Sequence, residues 1–96
     1  MITGKQRSYL KSIANNIDPI FQLGKNGLTE NFVRQVDDAL KVREIVKVNV
    51  LKNSVLDPTE VASQLAEDLK AEFVQSIGRK FVLYRQSEDK PEIILP

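Results

Sequence analysis

The sequence predicts a single mixed α/β domain, with element order α-β-α-β-α-β-β around a four-stranded mixed sheet. Three observations carry that expectation. Segments with helically spaced apolar residues alternate with short apolar or alternating runs. Gly24-Lys25-Asn26-Gly27 separates the first short run from the second helix. A further glycine turn, Gly78-Arg79-Lys80, joins the last two runs as a hairpin.

Helix one is expected over 3–16. Leu10, Ile13, Ala14 and Ile17 form its apolar stripe, and Arg7, Lys11 and Asn15 line one flank at four-residue spacing. Asp18-Pro19 ends it, because the residue before a proline resists helical geometry. Ile20 to Leu23 is too short for a helix and reads as a buried strand. Helix two is expected over 29–42, with Thr29 as its cap. The helical period of Phe32, Val33, Val36, Ala39 and Leu40 excludes a hairpin at Asn26-Gly27, despite that dipeptide's turn preference. Glu30 with Arg34 and Asp37 with Lys41 are four-residue ion pairs on its solvated face.

Strand two, 44–51, alternates Val46, Val48 and Val50 against Lys47 and Asn49. Asp57-Pro58-Thr59-Glu60 is a helix start: a capping carboxylate, a proline where its missing N–H is harmless, and a glutamate placed to bond back. Helix three then buries Val61, Ala62, Leu65 and Leu69. Strands 73–77 and 81–84 follow, and the apolar tail 91–96 is expected to dock on the body. Two β-α-β units make strands one to three parallel through right-handed crossovers, and the tight hairpin makes strand four antiparallel.

Residues 1–96 are expected to form one domain. No apolar run reaches the length of a membrane span and no signal-peptide pattern opens the chain. A cytoplasmic location without a membrane partner is therefore the default. The absence of both cysteine and histidine removes disulfides, the usual zinc ligands, the thiol nucleophile and the commonest general base. Asp37-Asp38 and Glu67-Asp68 are neighbours on helices, so their side chains diverge by about 100°. With no triad, P-loop or metal-ligand spacing, the chain is not expected to be an enzyme or to hold a metal, a cofactor or a small-molecule substrate.

The net charge of +1 conceals an uneven distribution. Residues 1–36 carry five basic and two acidic side chains, whereas residues 57–72 carry one basic and five acidic. Parallel strands gather loops and helix starts beyond their carboxyl ends, where ligands of open α/β sheets bind. That edge is expected to collect the 24–27 loop, Lys52 and Asn53 after strand two, and Arg79 and Lys80 after strand three. Helix one is expected to finish at the other edge, which brings Lys5 and Arg7 back toward the glycine loop. Glu30, Asp57 and Glu60 lie near the same edge and dilute its field.

Gly24 and Gly27 permit a sharp turn and close approach of a partner to the backbone. Lys25 adds charge, and the helix start behind it adds unpaired N–H groups and a positive dipole end. The loop thus suits a phosphate, although an ordinary strand-to-helix turn uses the same residues. Asn26 fits a left-handed backbone or a base contact equally. Arg79 and Lys80 fit either turn charges or contacts. Lys5, Arg7 and Lys11 have no acid within four positions on their helix and are favoured for binding. Tyr9, Phe21, Phe73 and Phe81 lie in or beside apolar runs and are expected in the core.

Taken in this order, the chain resembles the CRM-domain family of RNA-binding proteins, specifically its small bacterial YhbY-like members. The resemblance spans essentially the whole chain. It rests on Leu23-Gly24-Lys25-Asn26-Gly27-Leu28-Thr29 as a GxxG loop, on Ile45-Val46-Lys47-Val48 as a central strand, and on the hairpin from Ile77 to Arg85, with Ile94-Leu95-Pro96 as a matching ending. It implies a two-layer fold similar to the C-terminal domain of translation initiation factor three. It also implies RNA contact through the GxxG loop and adjacent basic residues, and association with ribosomal RNA in large-subunit precursors, with ribosomal proteins as further neighbours. The alternative is a protein-interaction module that binds a ribosomal or assembly protein through acidic helix three or the apolar tail.

Overall fold

The computed structural model describes residues 2–52 and 54–96. Asn53, expected beside Lys52, lies outside the described residues. The elements are α1 (Gly4–Ala14), β1 (Phe21–Leu23), α2 (Glu30–Arg43), β2 (Ile45–Val50), α3 (Pro58–Leu69), β3 (Glu72–Ile77) and β4 (Lys80–Tyr84). Local chemistry sets the helix ends. Thr3 and Gln6 form a reciprocal capping box on α1, the Thr29 hydroxyl accepts from Phe32 N–H, and Asp57 accepts from Thr59 N–H ahead of Pro58. Glu44 and Lys70 terminate α2 and α3 with φ of 67° and 54°.

The sheet order is β1-β2-β4-β3. β1 and β2 are parallel, and β4 lies between β2 and β3, antiparallel to both. The first three strands therefore share one direction, although β2 and β3 never touch. Gly78, at φ 61°, and Arg79 form the β3–β4 turn. The alternation of each strand feeds two separate cores. Val46, Val48, Phe81 and Leu83 meet α2 and α3, while Ile45, Val74, Val82 and Tyr84 meet α1 on the opposite face. Sheet and α2–α3 form the two main layers; α1 and the docked side chains of Ile93 and Leu95 cover part of the second face.

Two expectations fail here. β1 pairs only with the second half of β2, from Phe21 opposite Val48 to Leu23 opposite Val50. Helix one accordingly has no need to reach the far edge before the strand begins. It runs the other way: Ile2 N–H donates to the Glu72 carboxylate and Arg7 Nε donates to Phe73 O, both at the start of β3. The first turn of α1, with Lys5, thus sits at the edge opposite the glycine loop. Tyr9 is 41% exposed because it lies off the Leu10–Ala14 stripe.

Candidate functional site

At the carboxyl edge of β1, the Gly24 carbonyl accepts from Gly27 N–H at 3.2 Å and the Gly27 carbonyl from Thr29 N–H at 3.0 Å. These bonds close a tight turn in which Gly27 has φ 69°, a conformation that disfavours other residues. Lys25 and Asn26 project at its exposed tip. The N–H groups of Lys25, Asn26 and Leu28 have no protein acceptor among the described residues. N–H groups without a protein acceptor ahead of a helix start suit an anion.

The loop rests on the segment after β2. Leu51 N–H donates to Leu23 O, and a methyl carbon of Leu51 lies 3.7 Å from where a Cβ on Gly24 would stand. Arg79 holds that segment in place. Its Nε donates to Val50 O at 2.9 Å, and its Nη2 donates to Leu51 O at 3.0 Å and Ser54 O at 3.3 Å. Much of its donor capacity is therefore spent on its own protein, a role that only the fold reveals. Lys52 and Lys80 remain exposed on the same edge.

Of the residues singled out in the sequence, the structure places Gly24, Lys25, Asn26, Gly27, Lys52, Arg79 and Lys80 on one edge. Lys5 and Arg7 are not with them. Lys11 belongs to the flank of α1 that faces the open part of the sheet, where it lines a depression with Gln75 and Ile77. Glu30, in the first turn of α2, is paired with Arg34 at 3.7 Å.

Two anchors at the opposite edge, the buried Glu44 and the half-buried Arg85, escaped the sequence. Glu44, read there as the first residue of strand two, is 1% exposed, and its carboxylate accepts from the N–H groups of Ser87, Glu92 and Ile93 at 2.7–2.9 Å. Burial alone would raise its carboxyl pKa, but these three donors outweigh burial and hold it below the ordinary range. Tyr84 titrates above the usual phenol value, through burial and the nearby Glu44 charge. Arg85 joins α2 to α3 by donating to the Asp37 carboxylate at 2.8 Å and to Leu69 O at 2.9 Å. The Arg85 hydrogen bond holds Asp37 below its usual pKa against a smaller opposing effect of burial, with Lys41 assisting. No signal in the sequence points to Glu44, because its partners lie 43–49 residues away.

The fold and this edge define a small α/β domain with a GxxG turn, a cationic rim and, among the described residues, no cluster of metal-ligating side chains. No helix among the described residues is long and apolar enough to cross a membrane. Residues 2–85 match the CRS1 / YhbY (CRM) domain, and the chain belongs to that family. It is 43% identical to probable RNA-binding protein YqeI of Bacillus subtilis over the full length of both chains. An RNA-binding protein of Haemophilus influenzae is 35% identical, over 92% of this chain and 89% of its own. The solution structure of the hypothetical protein SAV1595 from Staphylococcus aureus has the same fold, with a TM-score of 0.84, 52% identity and complete coverage of both chains.

Proposed function

We propose that the protein is a non-catalytic RNA-binding factor that takes ribosomal RNA in large-subunit precursors through the Gly24–Gly27 turn. One observation carries the reading: a glycine turn ahead of α2, exposed at its tip, presents N–H groups beside Lys25 that have no protein acceptor among the described residues. The RNA-binding relatives support it. Backbone N–H groups and Lys25 take a phosphate, Lys52 and Lys80 extend the contact along the edge, and Asn26 reaches a sugar or base. Arg79 positions the platform beneath the loop.

The test is crosslinking of the full chain to RNA in cell extract, followed by sequencing of the attached RNA, with Gly24→Asp as the control. A Cβ at Gly24 makes only ordinary van der Waals contact, so the variant should fold while its carboxylate repels phosphate. Recovery of a discrete large-subunit segment, lost in Gly24→Asp at unchanged circular dichroism, is the expected result. Crosslinks to protein alone would transfer the function to the interaction-module reading.

A further inference from the structure

The flank of α1 that carries Arg7, Lys11 and Asn15 does not lie flat on the sheet. Between it and strands β2, β4 and β3 are two depressions, of about 510 Å³ and 390 Å³, that share Gln75 and Ile77 in their walls. Adjoining at Gln75 and Ile77, they follow β3 from Arg7 and Phe73 to the β3–β4 turn as one trough. Its charge is one-sided. Arg7, Lys11, Lys47, Arg79 and Lys80 line it, and among the described residues no carboxylate does. The protein as a whole is nearly neutral, so this segregation is not a consequence of composition.

Three of these cations are already held by carbonyls. Arg7 donates to Phe73 O, Lys47 Nζ to the Ala14 carbonyl at the end of α1 and to the Ile17 carbonyl beyond it, and Arg79 to the end of β2 and the loop after it. They contribute fixed positive charge to the walls, while Lys11 and Lys80 are exposed and make no side-chain hydrogen bond or ion pair among the described residues. The remaining lining is complementary to unpaired bases. Asn15, Asn49 and Gln75 offer both amide donors and acceptors, and Ile77, 65% exposed, offers an apolar surface for a base face. In such a trough a single strand can lay its bases on the sheet and its phosphates against the lysines.

We propose that this trough is a second contact surface for single-stranded RNA, continuous with the glycine loop. The inference rests on the RNA-binding reading of that loop and extends it. Lys80 is the hinge between the two: it begins β4 at the carboxyl edge and also lines the trough, two inter-strand spacings, or roughly 10 Å, from the end of β1. The GxxG loop of KH domains clamps about four nucleotides, and the Gly24–Gly27 turn is taken to span the same length. A longer strand passes over the β3–β4 turn and fills the trough, and linkage of two weak sites multiplies their affinities.

The experiment measures binding of the full chain to fluorescein-labelled oligouridines of four, eight and twelve nucleotides at one salt concentration. Gly24→Asp and a Lys11→Glu/Gln75→Ala double variant are measured in parallel, with circular dichroism as the folding control. Affinity of the unmodified protein should rise at least about tenfold from the shortest to the longest strand. The double variant should lose that gain yet bind the four-nucleotide strand normally, and Gly24→Asp should lose the four-nucleotide contact. If affinity does not grow with length, or the double variant keeps the gain, the trough is not a binding surface even though the loop is. If Gly24→Asp leaves all binding intact while the double variant abolishes it, the trough stands and the loop reading falls. Absence of binding by every strand overturns both.

Discussion

Replacing Arg79 by lysine separates holding the loop from touching the ligand, because charge is preserved and only the planar fork is lost. The guanidinium makes three hydrogen bonds to carbonyls, and a lysine ammonium retains one of them. Each charge-assisted bond contributes about 1.5–3 kcal/mol. Because these carbonyls are only part-buried and regain water, losing two of the bonds costs about 2 kcal/mol in total. In a domain of this size that lowers Tm by roughly 8–16 °C, measurable by circular dichroism. Leu51 and Ser54 lose their shared anchor, and Leu51 is the neighbour of Gly24, so RNA affinity should fall as well. The dependence of log affinity on log salt should keep its slope, since no cation has been removed. An Arg79→Lys protein that melts within about 2 °C of the parent would refute the latch. Unchanged Tm with weakened binding would make Arg79 a direct phosphate ligand instead.

Two further outcomes follow from the same geometry. Lys25→Ala and Lys80→Ala should each weaken RNA binding by about 0.5–1.5 kcal/mol and shallow the salt slope, whereas Lys41→Ala and Arg43→Ala at the opposite edge should not; titrations at several salt concentrations decide, and costly Lys41 or Arg43 changes would reverse the edge assignment. Glu44 and Asp37 are both held below their ordinary pKa, so their stabilisation is complete above about pH 5.5 and is lost as pH falls through the ordinary and then the lowered values. Urea unfolding between pH 7 and pH 2.5 should therefore show a steep acid loss that Glu44→Gln reduces, with the variant already less stable at pH 7; an unchanged acid slope would mean that the carboxylate does not hold the tail.

Most of the elements were legible in the sequence because their signals are local. Thr29, Asp57 and Pro58 start helices through bonds to residues two or three positions away, and the alternation of Val46, Val48 and Val50 states which side of β2 meets α2 and α3. The glycine turn was legible for the same reason, as was the common direction of β1, β2 and β3, which follows from the helix that joins each to the next. Register was not. That β1 pairs with only half of β2 is decided by packing between segments, and it turned α1 around and carried Lys5 and Arg7 away from the loop.

The tertiary structure alone assigned the long-range partners. Arg79 reads as a turn residue until the carbonyls of Val50, Leu51 and Ser54 are seen within its reach, and Glu44 reads as a strand start until the tail folds back onto its carboxylate. The amino-acid sequence determined that this chain has a glycine turn, a surplus of cations in its first third and no cysteine or histidine. Which cations face solvent and which are spent on the protein's own backbone was decided by the fold, because a donor's partner depends on atoms that chain order does not place near it.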